Sequence, residues 1–106
     1  MSITFTTTLG GPELNMANGN AADLMKLLGL PVEAWGEAPA EDLLGRILLT
    51  QALLDVATDD ERGKPTVTDG RWTDWGRPPG YMAGRLAELQ EVATWAHHHH
   101  VDVIWD

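Results

Sequence analysis

The stretch Arg71-Trp72-Thr73-Asp74-Trp75-Gly76-Arg77-Pro78-Pro79-Gly80-Tyr81 gathers two of the five tryptophans, the only tyrosine and two of the seven basic residues. Trp, Tyr and Arg combine a large contact area with a polar or charged handle, so their clustering outside a periodic segment marks a surface that touches a partner or ligand. A helix starting just after this stretch leaves backbone N–H groups and a positive partial charge facing it. Arg71 and Arg77 add donors there, which suits a carboxylate or phosphate held between the walls of Trp72, Trp75 and Tyr81. The alternative role is structural: the aromatics fill the space between sheet and helix, and Arg77 pairs with Asp74.

A second cluster is Asn15, Asn18 and Asn20, three side-chain amides able to read donors and acceptors on a ligand. Their local alternative is a turn at Asn18-Gly19 and an N-cap at Asn20, with Asp23 answering it as in a capping box. The run His97-His98-His99-His100 suggests a metal, but neighbours on a helix point about 100° apart, so two imidazoles at most share one ion, with Asp102 as a third ligand. A polar helix end, with imidazoles near the last carbonyls, accounts for it equally well. No cofactor or metal is expected.

Catalytic patterns are lacking. The sequence has no Gly-x-Ser-x-Gly, His-Glu-x-x-His, phosphate loop or dinucleotide fingerprint, and its one serine is Ser2. With no cysteine, disulfides, thiolate nucleophiles and Cys-based zinc sites are excluded. Sixteen acidic against seven basic residues give a net charge of -9, which repels phosphate backbones and anionic membranes, so direct nucleic-acid binding is not expected. The acids are scattered, and Asp59-Asp60-Glu61 is followed at once by Arg62 and Lys64, which argues against mimicry of DNA. No segment reads as a signal peptide or membrane span, so a soluble, cytoplasmic protein is expected.

An apolar fraction of 43% over 106 residues supports one domain, residues 1–106, with a single core. Ile3, Phe5 and Thr7 alternate with Thr4, Thr6 and Thr8, the pattern of a half-buried strand. Ala21 to Leu28 reads as a short helix stopped by Gly29. Pro31 to Ala38 reads as a loop containing Trp35. From about Ala40 to Ala57 runs a second helix, apolar round more than half its circumference and so expected to be covered on more than one side. Gly45 inside it suggests a close approach by another backbone. Thr66-Val67-Thr68 and Arg71-Trp72-Thr73 flank Asp69-Gly70 as a small hairpin. A third helix from near Pro79 to about His97 buries Met82, Leu86, Leu89, Ala93 and Ala96, and Val101 to Trp105 forms a last strand. The fold class is α+β, a small largely antiparallel sheet with about three helices in the order β-α-α-β-β-α-β.

Taken together, Leu14 to Ala21 leading into Leu27-Leu28-Gly29-Leu30, then Gly70-Arg71-Trp72, Gly76-Arg77, Tyr81 and Val103-Ile104-Trp105, resemble a family of small, uncharacterised bacterial and bacteriophage proteins. These have an Asn-rich segment before a Leu-rich helix and a Trp/Gly-Arg/Tyr segment before another. The resemblance implies no activity. The residues themselves favour a non-enzymatic protein that contacts a protein partner or small ligand through the loops before the first and third helices, by way of Asn15, Asn18, Arg71, Trp72, Asp74, Trp75, Arg77 and Tyr81. A homodimer through the aromatic loop is compatible with this. The alternatives are a phage-type inhibitor of a host defence component, acting as an acidic blocker or a sponge for a signal nucleotide, and a small carboxylate- or His-dependent hydrolase with optional metal.

Overall fold

A computed structural model describes residues 1–61 and 80–106, with side chains for 1–54 and 80–106. The Asp69-Gly70 hairpin and the site candidates Arg71, Trp72, Asp74, Trp75 and Arg77 lie outside the described residues. The described elements follow the order β1 (Ser2–Thr7), β2 (Leu14–Ala17), α1 (Asn18–Leu28), β3 (Gly36–Ala38), α2 (Ala40–Glu61), α3 (Tyr81–His98) and β4 (Val103–Trp105). They form an α+β fold whose four strands are arranged β2-β1-β4-β3, each neighbouring pair antiparallel.

Alternation builds the sheet. Ile3, Phe5 and Thr7 of β1 are buried, while Thr4 and Thr6 face outward and are only partly covered. A turn anchored by Thr7 then reverses the chain: its hydroxyl donates to the Gly10 carbonyl at 2.6 Å and accepts the Leu9 N–H at 3.2 Å. Gly10 and Gly11 both take φ of 85°, a conformation that glycine reaches without strain. The returning strand β2 sets Met16 opposite Ile3 and Asn15 opposite Thr4. Too short to show a clear period, Leu14-Asn15-Met16 does not announce itself as a strand; only Leu14 and Met16 face the core. Strand β3 lies within the segment expected to be loop, and its Gly36, Glu37 and Ala38 pair with Trp105, Ile104 and Val103.

Helices α1 and α3 lie on the buried face of the sheet, and α2 packs chiefly against α3 and α1. The core joins Phe5 and Val103 of the sheet to Leu24 and Met25 of α1, Leu43 and Ile47 of α2, and Leu86, Leu89 and Val92 of α3. All five residues expected to line the buried stripe of α3 are buried. Among the described residues, no helix is long and apolar enough to cross a membrane.

The ends of α1 divide into one expectation met and one corrected. Gly29 stops the helix in a left-handed conformation with φ 72°; its N–H donates to the Lys26 carbonyl and the Leu30 N–H to that of Met25. This paired arrangement satisfies carbonyls that a helix end would otherwise leave open. Arg46 of α2 extends the cap, its Nη1 donating to the Leu28 and Gly29 carbonyls at 3.0 and 3.1 Å while its Nε holds Asp42 at 2.9 Å. At the other end, the helix starts at Asn18 after Ala17, with no side-chain cap. Asn20 is therefore inside the first turn rather than at the N-cap, and the expected box with Asp23 is not formed. Its amide donates instead to the Tyr81 hydroxyl at 3.1 Å, a tertiary bond that outweighs its capping preference.

Two expectations for α2 are also corrected. The helix runs on to Glu61, and among the described residues its cover lies on one side rather than several: Leu43 and Ile47 are buried, whereas Leu48, Leu49 and Leu53 are more than half exposed. Nor, among the described residues, does another backbone press on Gly45, since a Cβ built there meets nothing within 4 Å.

Candidate binding site

The described residues enclose an open groove of about 530 Å³ where the loop after α1 passes the β3 edge of the sheet. Leu30, Pro31, Glu33 and Trp35 supply one side, Gly36 and Glu37 come from β3, and Ile104, Trp105 and Asp106 complete it. Its volume is in the range of small-ligand sites, which are typically about 300–1,000 Å³.

The geometry follows from one cross-strand pair. Gly36 stands directly opposite Trp105, and the Trp105 indole lies over it so closely that a Cβ at Gly36 would sit 2.7 Å from Cζ2, 2.9 Å from Cε2 and 3.1 Å from Nε1. An aromatic ring covering an edge-strand glycine restores the contact that the missing side chain cannot make. Trp105 is 5% exposed and also meets Phe5, with ring centroids 5.7 Å apart. It is thus a fixed wall. Trp35, one residue before Gly36, is 71% exposed, an unusual surface for the largest apolar side chain.

Charge in the groove has one sign. Glu33, Glu37 and Asp106 line it with exposed side chains, and none of the described lining residues is basic. Two of the described arginines are engaged elsewhere, Arg46 at the end of α1 and Arg85 with Glu88 at 2.8 Å. The groove holds one further polar peculiarity: the Trp105 indole nitrogen is buried without a hydrogen-bond partner among the described residues. That Nε1 edge is the one turned toward Gly36, a lining residue.

The described candidates from sequence, Asn15, Asn18 and Tyr81, are not gathered here. Asn15 sits on the outer face of the sheet, its amide donating to the hydroxyls of Ser2 at 3.0 Å and Thr4 at 2.8 Å. Asn18 opens α1 and is exposed. Tyr81 begins α3, where its ring packs against the core, its hydroxyl accepts from Asn20, and the Arg85 guanidinium lies 5.4 Å from the ring centre. Asn15, Asn20 and Tyr81 thus make side-chain contacts within the fold. A groove at Trp35 was not foreseen from sequence. The available signal was a tryptophan beside a glycine, flanked by carboxylates, in Glu33-Ala34-Trp35-Gly36-Glu37.

The histidine run closes α3. His97 and His98 lie in its last turn, and His99 caps it with its ring stacked on Trp95 at 3.8 Å between centroids. The Nδ1 of His99 lies 2.8 Å from the Trp95 carbonyl oxygen, a contact that requires Nδ1 to carry the proton and donate it. Trp95 in turn lies against Gly11, where a Cβ would come within 2.8 Å of the indole. Among the described residues, no three His, Asp or Glu side chains are grouped so that they could hold a metal ion.

Compared with protein-family models, curated proteins and solved structures, the chain matches none of them.

Proposed function

We propose that this chain is a non-enzymatic binding module that receives a protein segment or small ligand in the groove between Trp35 and Trp105. The observation that carries this is the pairing of a 71% exposed tryptophan, Trp35, with the buried Trp105 in a concavity of about 530 Å³. Exposed aromatic surface beside a concave site contributes contact area with little rotamer entropy to lose, which is why such residues dominate binding energetics. Strand β3 adds a second attraction. It ends the order of described strands, so an extended peptide could add backbone hydrogen bonds along Gly36–Ala38 while a side chain enters the groove.

The test is a two-dimensional amide NMR screen of the full chain against a panel of capped dipeptides and small organic molecules. Ligands that occupy the groove shift the amides of Gly36, Glu37, Ile104 and Asp106 and the indole signal of Trp35. Trp35→Ala should abolish those shifts while leaving the melting temperature unchanged, since the side chain is largely in water. If no panel member moves these signals more than amides on the far face of the domain, the groove is not a binding site.

A further inference from the structure

We infer that the groove takes a cationic group carried on a chain that also bears an oxygen acceptor. The alkylammonium or guanidinium of a basic side chain and a free organic ammonium ion share this chemistry. The inference rests on the binding role proposed above and assigns its ligand class.

Three observations converge on it. First, the aromatic walls are indoles, whose electron-rich faces attract cations more strongly than those of Tyr or Phe. Trp35 is free of the core and available to close over a bound group, while Trp105 is held in place by Phe5 and Gly36. Second, the polar side chains in the lining are Glu33, Glu37 and Asp106, all carboxylates, apart from the indole nitrogens. In a partly enclosed site their field acts at reduced dielectric, so they select cations and repel anions. Among the described residues, no lining arginine or lysine neutralises them. Third, the Trp105 N–H is a buried donor with no acceptor among the described residues, and its edge lies against Gly36, which lines the groove. A buried donor left unmatched is costly, and a ligand oxygen that reaches it would remove that cost. A simple apolar ligand would leave both the carboxylates and this N–H without partners. An anion would face three like charges.

The experiment compares three probes of nearly equal size on the full-length protein, followed by amide and indole NMR. Choline carries both the cation and an oxygen, tetramethylammonium carries the cation alone, and 3,3-dimethylbutan-1-ol is the neutral carbon analogue of choline. Choline should bind at least about tenfold more tightly than the neutral analogue, as cation–aromatic and carboxylate contacts together imply. Tetramethylammonium should fall between them, and only choline should move the Trp105 indole proton downfield. The Glu33→Gln/Glu37→Gln double variant and Trp35→Ala should each weaken choline binding several-fold with unchanged melting temperature, because all three side chains are exposed.

A second arm separates the sources of the cation. Acetylated, amidated Gly-X-Gly peptides with X as arginine, trimethyllysine or norleucine are titrated in the same way. Cationic peptides that bind more tightly than choline identify a partner's side chain, and the reverse order identifies a free organic cation; either supports the assignment. If the neutral analogue binds as well as choline, and norleucine as well as arginine, the cationic assignment is overturned while the groove remains a binding site. If none of the probes binds but members of the broader panel do, the ligand class is again wrong. If nothing in either set reaches the groove, the binding role falls with it.

Discussion

Replacing Gly36 by alanine tests the contact on which the groove is built. The added Cβ would lie 2.7, 2.9 and 3.1 Å from three atoms of the Trp105 indole, against ordinary contact distances of about 3.4–4 Å. The ring cannot move aside easily, since it is 5% exposed and packed on Phe5. Either β3 shifts outward or the indole leaves its position, and overpacking of this kind costs about 1–3 kcal/mol. Against this, alanine restricts the unfolded chain and returns about 0.4–1 kcal/mol. The difference spans about 0 to 2.6 kcal/mol and centres on about 1.3 kcal/mol, which lowers the melting temperature of a domain this size by roughly 5–10 °C. Gly45→Ala is the matched control, because its Cβ meets nothing within 4 Å and it lies inside a helix, where alanine is favoured by up to about 1 kcal/mol. Thermal unfolding followed by far-ultraviolet circular dichroism should thus move in opposite directions for the two variants. A Gly36→Ala protein that melts at or above the parent temperature, while Gly45→Ala is stabilised, would refute the close cross-strand packing of Trp105.

Two further outcomes are expected. Arg46→Ala removes donors to two carbonyls at the end of α1 as well as the Asp42 contact, and should cost about 1–2 kcal/mol in urea unfolding, whereas Asp42→Asn loses only an exposed pair and should cost less than about 0.5 kcal/mol. Equal losses in the two variants would show that the ion pair, not the cap, matters. Tyr81→Phe and Asn20→Ala each break the bond joining α3 to α1, and a double-mutant cycle should give a coupling of about 0.5–1.5 kcal/mol. A coupling near zero would return Tyr81 to consideration as a surface residue.

What could be read from sequence was what is local. The alternation of Ile3, Phe5 and Thr7 and the helical spacing of Met82, Leu86, Leu89, Ala93 and Ala96 each express one element's own period, and the structure buries both sets. Gly29 is legible for the same reason, because a helix stop is written in adjacent residues. Strand β3 is not. Its three residues have no period of their own and become a strand only because Trp105 covers Gly36 across the sheet. The groove depends on that same distant pairing, so Trp35 in isolation looked like loop content. The Leu-rich face of α2 shows the opposite limit: residue type proposes burial, but Leu48, Leu49 and Leu53 are exposed because the described neighbours of this helix pack on its other side. Asn20 followed neither its turn nor its capping tendency, since Tyr81, far along the chain, offered a better partner.

The position of β4 has a consequence for the order of events during synthesis. Strand β4 lies between β1 and β3, so a segment at positions 103–105 joins strands that are translated much earlier. Until it arrives, β1 and β2 can form a hairpin, but β3 has no described neighbour to pair with. Closing so long a loop delays the reward for every residue ordered before it. A nascent chain arrested before Val103 should therefore hold helices and a hairpin but remain open to proteolysis around Gly36, and release of the last strand should protect that site in a single step.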